Sequence, residues 1–378
     1  MTTLRNTIIQ ETMKILKLNL KLATEVKINQ VIKEAITTIK NGGLVIYPTE
    51  TIYGMAANPH DQQAINKLLK YKNRREGKPL SIAVSKQAMA EQYVIINQQA
   101  QNFYQRFLPG PYTVISQLRV NSQIDQRVAS EFGTLGIRIP DYPLMLKLIE
   151  HLGHGITATS ANASNKKRPY RIKDVLNNIS EKQKQLIDLI IDVGQLAKNE
   201  PSVVIDTSLS TPLSMRGQLR TNDKFIEFNS QSESETQGLA MRLILKNLNN
   251  LKKQGLLFGL SGELGVGKTI FAKGAAKFLK IKEEITSPTY TYLNEYTYQK
   301  GTLQGIFYHL DAWKIDQEQE FSLLKVDQLL KANNILLIEW WDKIANFLPD
   351  NLKKQAIILD LSGQDNWRKI KLWEKTKK

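Results

Sequence analysis

Gly262-Glu263-Leu264-Gly265-Val266-Gly267-Lys268-Thr269 fits the pattern G-x-x-x-x-G-K-[ST]. An apolar run leads into it (255–262, GLLFGLSG) and a helical pattern leads out (268–279). Glycines let such a loop curl until successive main-chain amides point at phosphate oxygens. That assigns the amides of Gly262, Gly265, Val266 and Gly267 to an anion, and the helix after the loop presents its positive end to the same anion. Lys268 reaches the β- and γ-phosphates, and the Thr269 hydroxyl is placed for Mg²⁺. Strand, glycine loop and helix together predict an α/β nucleotide-binding unit.

Working outward, a phosphate loop requires an acidic partner for its cation, supplied from a neighbouring strand end. Two acids qualify: Glu339 after ILLI (335–338), and Asp311 after FYHL (307–310). The plain alternative is a solvated acid at each strand end. A further strand is expected at 357–361 (IILDL), and a helix at 239–253.

GELGVGKT, ITSPTYTYLNEY (285–296), YHLDAWKI (308–315) and LLIEW (336–340) closely resemble the small bacterial ATPase family TsaE, from about residue 232 onward. That family supports threonylcarbamoyl modification of tRNA adenosine. The resemblance implies ATP and Mg²⁺ at Gly265, Gly267, Lys268 and Thr269, with Asp311 and Glu339 around the metal. It makes Thr286, Ser287 and Thr289 a switch-like segment, whose bland reading is loop hydroxyls. Trp340 is expected to pack rather than to stack on a nucleotide.

Ahead of this unit, apolar runs alternate with helical patterns. Strands are expected at 42–48, 80–84, 113–118, 135–140, 155–160, 188–193 and 202–206, and helices at 28–40, 61–71, 98–107 and 142–151. Alternation of this kind implies a second α/β domain. Three strand ends carry polar groups, and Lys70, Lys72, Arg74, Arg75 and Lys78 crowd one short stretch. Ligands of α/β sheets bind beyond the carboxyl ends of strands, so these groups could converge on one anionic ligand. Read alone, they are caps, turns and a solvated charge run rather than a site.

PTETIYG (48–54), KYKNRR (70–75), LPGPYTVI (108–115), GIRIPDYP (136–143), TSANAS (159–164) and SVVID (202–206) resemble, in order and spacing, the YrdC/TsaC family of threonylcarbamoyl-adenylate synthases. The resemblance covers about residues 25–228. It implies a twisted α/β sheet domain that makes threonylcarbamoyl-AMP from L-threonine, bicarbonate and ATP, releasing pyrophosphate. The family's Lys-x-Arg and Ser-x-Asn pairs fall on Lys72/Arg74 and Ser160/Asn162, the implied catalytic set. Thr51, Ser160 and Ser202 would contact threonine and Arg138 its carboxylate; Lys72, Arg74, Asn162 and Arg216 would hold ATP. An Arg fork suits phosphate and carboxylate, while Lys acts as a point charge. The chain departs from the family pattern at Arg75, Asn165 and Val203, and in having Gly217 directly after Arg216.

The implied organisation is an N-terminal extension (1–24, a packed helix or a frayed tail), a synthase domain (25–228), a polar linker (229–238, NSQSESETQG) and a smaller P-loop domain (239–378). Joining two steps of one pathway raises their effective concentration at a shared partner. By resemblance that partner is the TsaB–TsaD transferase pair, with tRNA contacted indirectly.

Composition agrees and excludes alternatives. The 378 residues are 42% hydrophobic and 23% charged, which excludes a wholly disordered chain. There is no Cys, hence no disulfide, no thiolate zinc site and no Cys nucleophile. The four His (60, 151, 154, 309) lack metal-ligand spacing and are expected on the surface or in packing. No apolar run approaches the ~18 residues of a membrane span, and residues 1–20 lack a secretory core, so a cytoplasmic location without membrane contact is expected. Net charge is +16; residues before 230 carry 30 basic against 19 acidic side chains. Such a field attracts nucleotide phosphates or RNA, or reflects a Lys-rich proteome. The cluster Lys166, Lys167, Arg168, Arg171 and Lys173 fits a phosphate-covering loop, a tRNA contact or a solvated run. Two rival readings follow: a basic RNA-binding module joined to a regulatory P-loop, and a small-molecule kinase.

Overall fold

The computed structural model describes residues 13–73, 79–163, 166–217, 225–288, 292–364 and 367–373. The chain forms two compact units, residues 1–208 with 214–218, and residues 209–213 with 219–378. Both are α/β, as expected. No helix among the described residues is long and apolar enough to cross a membrane.

In the first unit the strands divide between two sheets rather than one. The first sheet orders Lys14–Lys17, Leu189–Asp192, Val45–Tyr47, Gly54–Ala56 and Thr159–Ser160. The second includes Val203–Asp206, Tyr112–Leu118, Thr134–Arg138, Ser81–Ala83 and Ile156–Thr157 in that order. The run expected as one strand at 155–160 is therefore two: Ile156–Thr157 pairs with Ser81–Ala83, and Thr159–Ser160 with Gly54–Ala56. This short segment passes between the sheets and carries Ser160 to their junction. Part of the expected extension is likewise ordered, since Lys14–Lys17 runs parallel to Leu189–Asp192.

Local signals explain the helices. Thr24 caps Glu25–Lys40, Asp61 caps Gln62–Lys72 and Asn97 caps Gln98–Phe107, each by accepting main-chain N–H bonds. Pro143 opens Pro143–Leu152. Asn73, left-handed at φ 47°, stops the second of these helices immediately after Lys72. Lys72 is thus the last helical residue, and its side chain leaves the helix end toward the segment around Ser160.

The second unit has one seven-stranded sheet. Its centre is parallel: Ile357–Gln364, Leu256–Ser261, Ile335–Glu339 and Leu303–Asp311, side by side. Antiparallel strands close both flanks, Leu293–Lys300 on one, Trp367–Trp373 and then Phe225–Ser230 on the other. The polar stretch 229–238 is not a linker. It is the end of Phe225–Ser230 and the first turns of helix Glu233–Lys246, which Ser232 caps. Asn247 then separates this helix from Leu248–Gln254, where one helix was expected.

The helix after the phosphate loop, Lys268–Leu279, buries Phe271, Ala272, Ala275, Ala276, Phe278 and Leu279. That spacing is one helical face. Gly274 lies against helix Glu233–Lys246 so closely that a Cβ would stand 2.5 Å from the Gln237 Cα and 2.6 Å from its carbonyl oxygen. Replacing an exposed helical glycine by alanine ordinarily stabilises. Here the backbone clash outweighs that gain, so Gly274→Ala should destabilise the second unit by about 1–3 kcal/mol. All five Trp (313, 340, 341, 367, 373) lie in this unit, so tryptophan fluorescence in a urea titration reads it selectively. An unchanged or higher midpoint would contradict the packing described.

Candidate functional site

In the first unit the structure groups the expected residues through main-chain atoms as much as side chains. Lys72 is only 2% exposed. Its Nζ donates to the carbonyl oxygens of Ser160 at 2.8 Å and Asn162 at 2.6 Å. The Lys-x-Arg and Ser-x-Asn motifs are thereby tied together by one ammonium. Tyr71 supports the same segment, its hydroxyl donating to the Ala161 carbonyl at 2.5 Å. The Asn162 side chain donates to the Lys166 carbonyl at 2.7 Å. Arg74 lies outside the described residues.

Thr51 and Arg138 also meet. Arg138 Nη2 donates to Thr51 Oγ1 at 2.9 Å and to Glu50 Oε1 at 2.7 Å. Thr51 is fixed in turn by Thr49, whose Oγ1 lies 3.0 Å away. Glu50 was not singled out from sequence, yet it forms a largely buried ion pair with the guanidinium expected to bind a substrate carboxylate. Glu50 Oε2 and Arg138 Nε are buried without hydrogen-bond partners among the described residues.

Ser202 and Arg216 form a third contact. Arg216 donates from Nη2 to Ser202 Oγ at 2.7 Å and from Nε to its carbonyl at 3.0 Å. Although Arg216 keeps open surface, desolvation by the chain around it, followed by repulsion from Arg138 and Arg168, holds its pKa below the usual arginine range. Three guanidiniums sharing one region make it electropositive and suited to an anion. The basic run after TSANAS is partly neutralised locally: Lys167 pairs with Asp174 at 3.2 Å and Arg168 with Glu200 at 3.4 Å.

In the second unit the geometry of a phosphate loop is complete. Gly262, Gly265 and Gly267 take φ values of 128°, 81° and 101°. A Cβ on Gly262 would lie 2.1 Å from the Leu361 carbonyl oxygen, so the loop tolerates no side chain there. Lys268 is 4% exposed, and its Nζ donates to the Gly262 and Glu263 carbonyls at 2.8 Å each. Burial holds its pKa below the ordinary lysine value, against the pull of Glu339, Asp311 and Asp342. Thr269 Oγ1 donates to Glu339 Oε1 at 2.9 Å. Asp311, opposite Glu339 in the sheet register, accepts from Ser287 Oγ at 2.6 Å and from the Trp313 amide at 3.0 Å. Thr289 lies outside the described residues.

Trp340 packs as expected, against Trp313 with ring centroids 4.4 Å apart, and Lys268 Nζ also sits 3.8 Å from its ring centroid. His309 is neither a surface nor a purely apolar packing residue. It is fully buried, with Nε2 2.7 Å from Glu339 Oε1. The available signal was its place two residues before Asp311, on the same strand face.

The donor set at this loop is one hydroxyl and two carboxylates, hard oxygens that fit Mg²⁺ when nucleotide phosphates and water complete the shell. Among the described residues no group of three or more His, Asp or Glu is placed to hold a metal by itself.

Comparisons with known proteins bear on each unit. Residues 37–217 match the family model Sua5_yciO_yrdC, described as "Telomere recombination". The chain is 34% identical over 180 residues to a putative threonylcarbamoyl-AMP synthase of Methanocaldococcus jannaschii, an alignment covering 47% of this chain and 81% of that protein. The chain belongs to the Sua5/YciO/YrdC family. Threonylcarbamoyl-AMP synthases of Pyrococcus abyssi and Bacillus subtilis are 33% and 30% identical, each over 49% of this chain. Of those two relatives the chain spans about half, 53% and 52%. Residues 230–370 match a second model, "Threonylcarbamoyl adenosine biosynthesis protein TsaE". Both matches point to tRNA threonylcarbamoyladenosine biosynthesis.

The Glu50–Arg138 pair gives a direct test of this description. Removing one partner of a buried ion pair leaves a charge without compensation, at a cost of roughly 3 kcal/mol. Glu50→Ala should lower the local opening free energy of strand Thr134–Arg138 by about that amount, measured by amide hydrogen exchange. A loss under ~1 kcal/mol would mean that water already compensates Arg138.

Proposed function

We propose that the first unit of this Sua5/YciO/YrdC member is an L-threonylcarbamoyladenylate synthase, and that the second is an Mg²⁺-dependent ATPase serving transfer of the product to tRNA. The observation that carries the first part is the Lys72 ammonium joined to the Ser160 and Asn162 carbonyls. It unites the two motifs, Lys-x-Arg and Ser-x-Asn, on which the resemblance to the synthase family rests. Threonine's amine takes up bicarbonate with loss of water to give a carbamate. A carbamate oxygen then attacks the α-phosphorus of ATP, and the bond to the β-phosphate breaks to release pyrophosphate.

Such a displacement requires positioning and charge neutralisation more than covalent help from the protein. Lys72 and Arg74 hold the triphosphate, and Asn162 and Arg216 contact the rest of ATP. Thr51, Ser160 and Ser202 line the threonine subsite, and Arg138 faces its carboxylate. In the second unit the amides of Gly262, Gly265, Val266 and Gly267, with Lys268, cradle the phosphates of a second ATP. Thr269, Asp311 and Glu339 would hold Mg²⁺, which neutralises phosphate charge when bound. The expected partner of both units is a TsaB–TsaD-like transferase complex, with tRNA reached through it.

Because the sites are separate, each lysine should silence one activity. Lys72→Ala should lower threonine-dependent pyrophosphate release by about 100-fold or more and leave nucleotide binding at the P-loop intact. Lys268→Ala should do the reverse. Pyrophosphate release and calorimetric ADP binding, run on both variants, read this out. A folded variant that loses both functions would overturn the two-site division. Salt-steep RNA binding without pyrophosphate release would favour the RNA-binding reading instead.

A further inference from the structure

His309 occupies a position where an apolar residue would pack without polar cost. It sits inside strand Leu303–Asp311, paired to Asn294 on one side and Leu337 on the other. Its ring is fully buried and lies nearly parallel to Phe307, 14° between planes with centroids 6.2 Å apart. Nδ1 is buried with no partner among the described residues, so the contact to Glu339 is the ring's only polar anchor there. Burying an imidazole on one hydrogen bond is costlier than burying leucine, and the cost has to be offset by what that bond does.

The bond converges with another. Glu339 Oε1 receives Thr269 Oγ1 at 2.9 Å and His309 Nε2 at 2.7 Å. With its proton on Nε2 the imidazole donates. One donor alone leaves a carboxylate free to turn about its last bond. Two donors from different elements, a helix and a strand, fix the plane. Oε2 takes no hydrogen bond among the described residues and is left for a cation or its water.

We propose that His309 is a positioning residue of the P-loop site: it locks the Glu339 carboxylate in the orientation that holds the nucleotide's divalent cation. This rests on the P-loop reading given above. Partners that orient metal-side ligands characteristically change metal affinity by 10–100-fold when removed.

The test is calorimetric binding of ADP to the full chain, with Mg²⁺ and with EDTA. His309→Leu should weaken Mg²⁺-ADP binding by about 10-fold or more while Mg²⁺-free ADP binding stays at the wild-type value. His309→Gln, which keeps an N–H donor near Nε2, should recover most of the loss. Wild-type Mg²⁺-ADP affinity in the leucine variant overturns the proposal. Equal losses with and without Mg²⁺ also overturn it, because the imidazole would then support the loop as a whole. Should the leucine variant not fold, His309→Phe keeps the ring without the donor and carries the same comparison. If Mg²⁺ fails to strengthen ADP binding to the wild-type chain, the P-loop reading itself fails, and this inference with it.

Discussion

A buried ammonium has to be surrounded by oxygens, and both units are organised around one. Lys72 and Lys268 are almost wholly withdrawn from solvent, and each donates to two main-chain carbonyls. An unpaired charge in such a place costs several kcal/mol, so the carbonyls have to be brought to it. In the first unit this ties the end of helix Gln62–Lys72 to the segment that crosses between two sheets. In the second it closes the glycine loop onto the first residue of its own helix. Main-chain carbonyls carry no formal charge, so these contacts hold each ammonium without themselves neutralising it.

Around each lysine the remaining groups sort by the same rule. Carboxylates stand at strand ends in the P-loop unit, where hydroxyl and amide groups donate to them and the His309 ring lies within hydrogen-bond distance of Glu339. Guanidiniums dominate the first unit, where the expected ligands carry phosphate and carboxylate. Glu50 is the exception, a largely buried acid paired with Arg138. Joining two such units in one chain would raise their effective concentration at the partner proposed for both.

Much of this was legible in the sequence, and the reasons differ by element. The P-loop was read residue by residue because its mechanism is local: glycines, one lysine and a hydroxyl within eight consecutive positions. Strands with apolar runs were placed to within a few residues for the same reason. The Lys72 contacts were not legible, since they join main-chain atoms 88 and 90 residues away. The edge strand Leu293–Lys300 and the strand Trp367–Trp373, one in from the other edge, alternate polar and apolar residues weakly and were missed. Lys14–Lys17 was missed because four residues carry no period, and its partner Leu189–Asp192 is distant. The stretch 229–238 was misread on polarity alone. Its Ser232 and Glu235 are three apart, the pattern of a helix start, and Ser232 Oγ does accept from the Glu235 amide at 3.2 Å. The role of His309 was not legible because its partner Glu339 lies 30 residues away on the neighbouring strand.

The account stands most directly on the product of the first unit. Purified chain incubated with ATP, L-threonine and ¹³C-bicarbonate should yield threonylcarbamoyl-AMP carrying a single heavy carbon, identified by mass, with pyrophosphate formed only when threonine is present. Release of phosphate that ignores threonine, with no labelled adenylate, would contradict it.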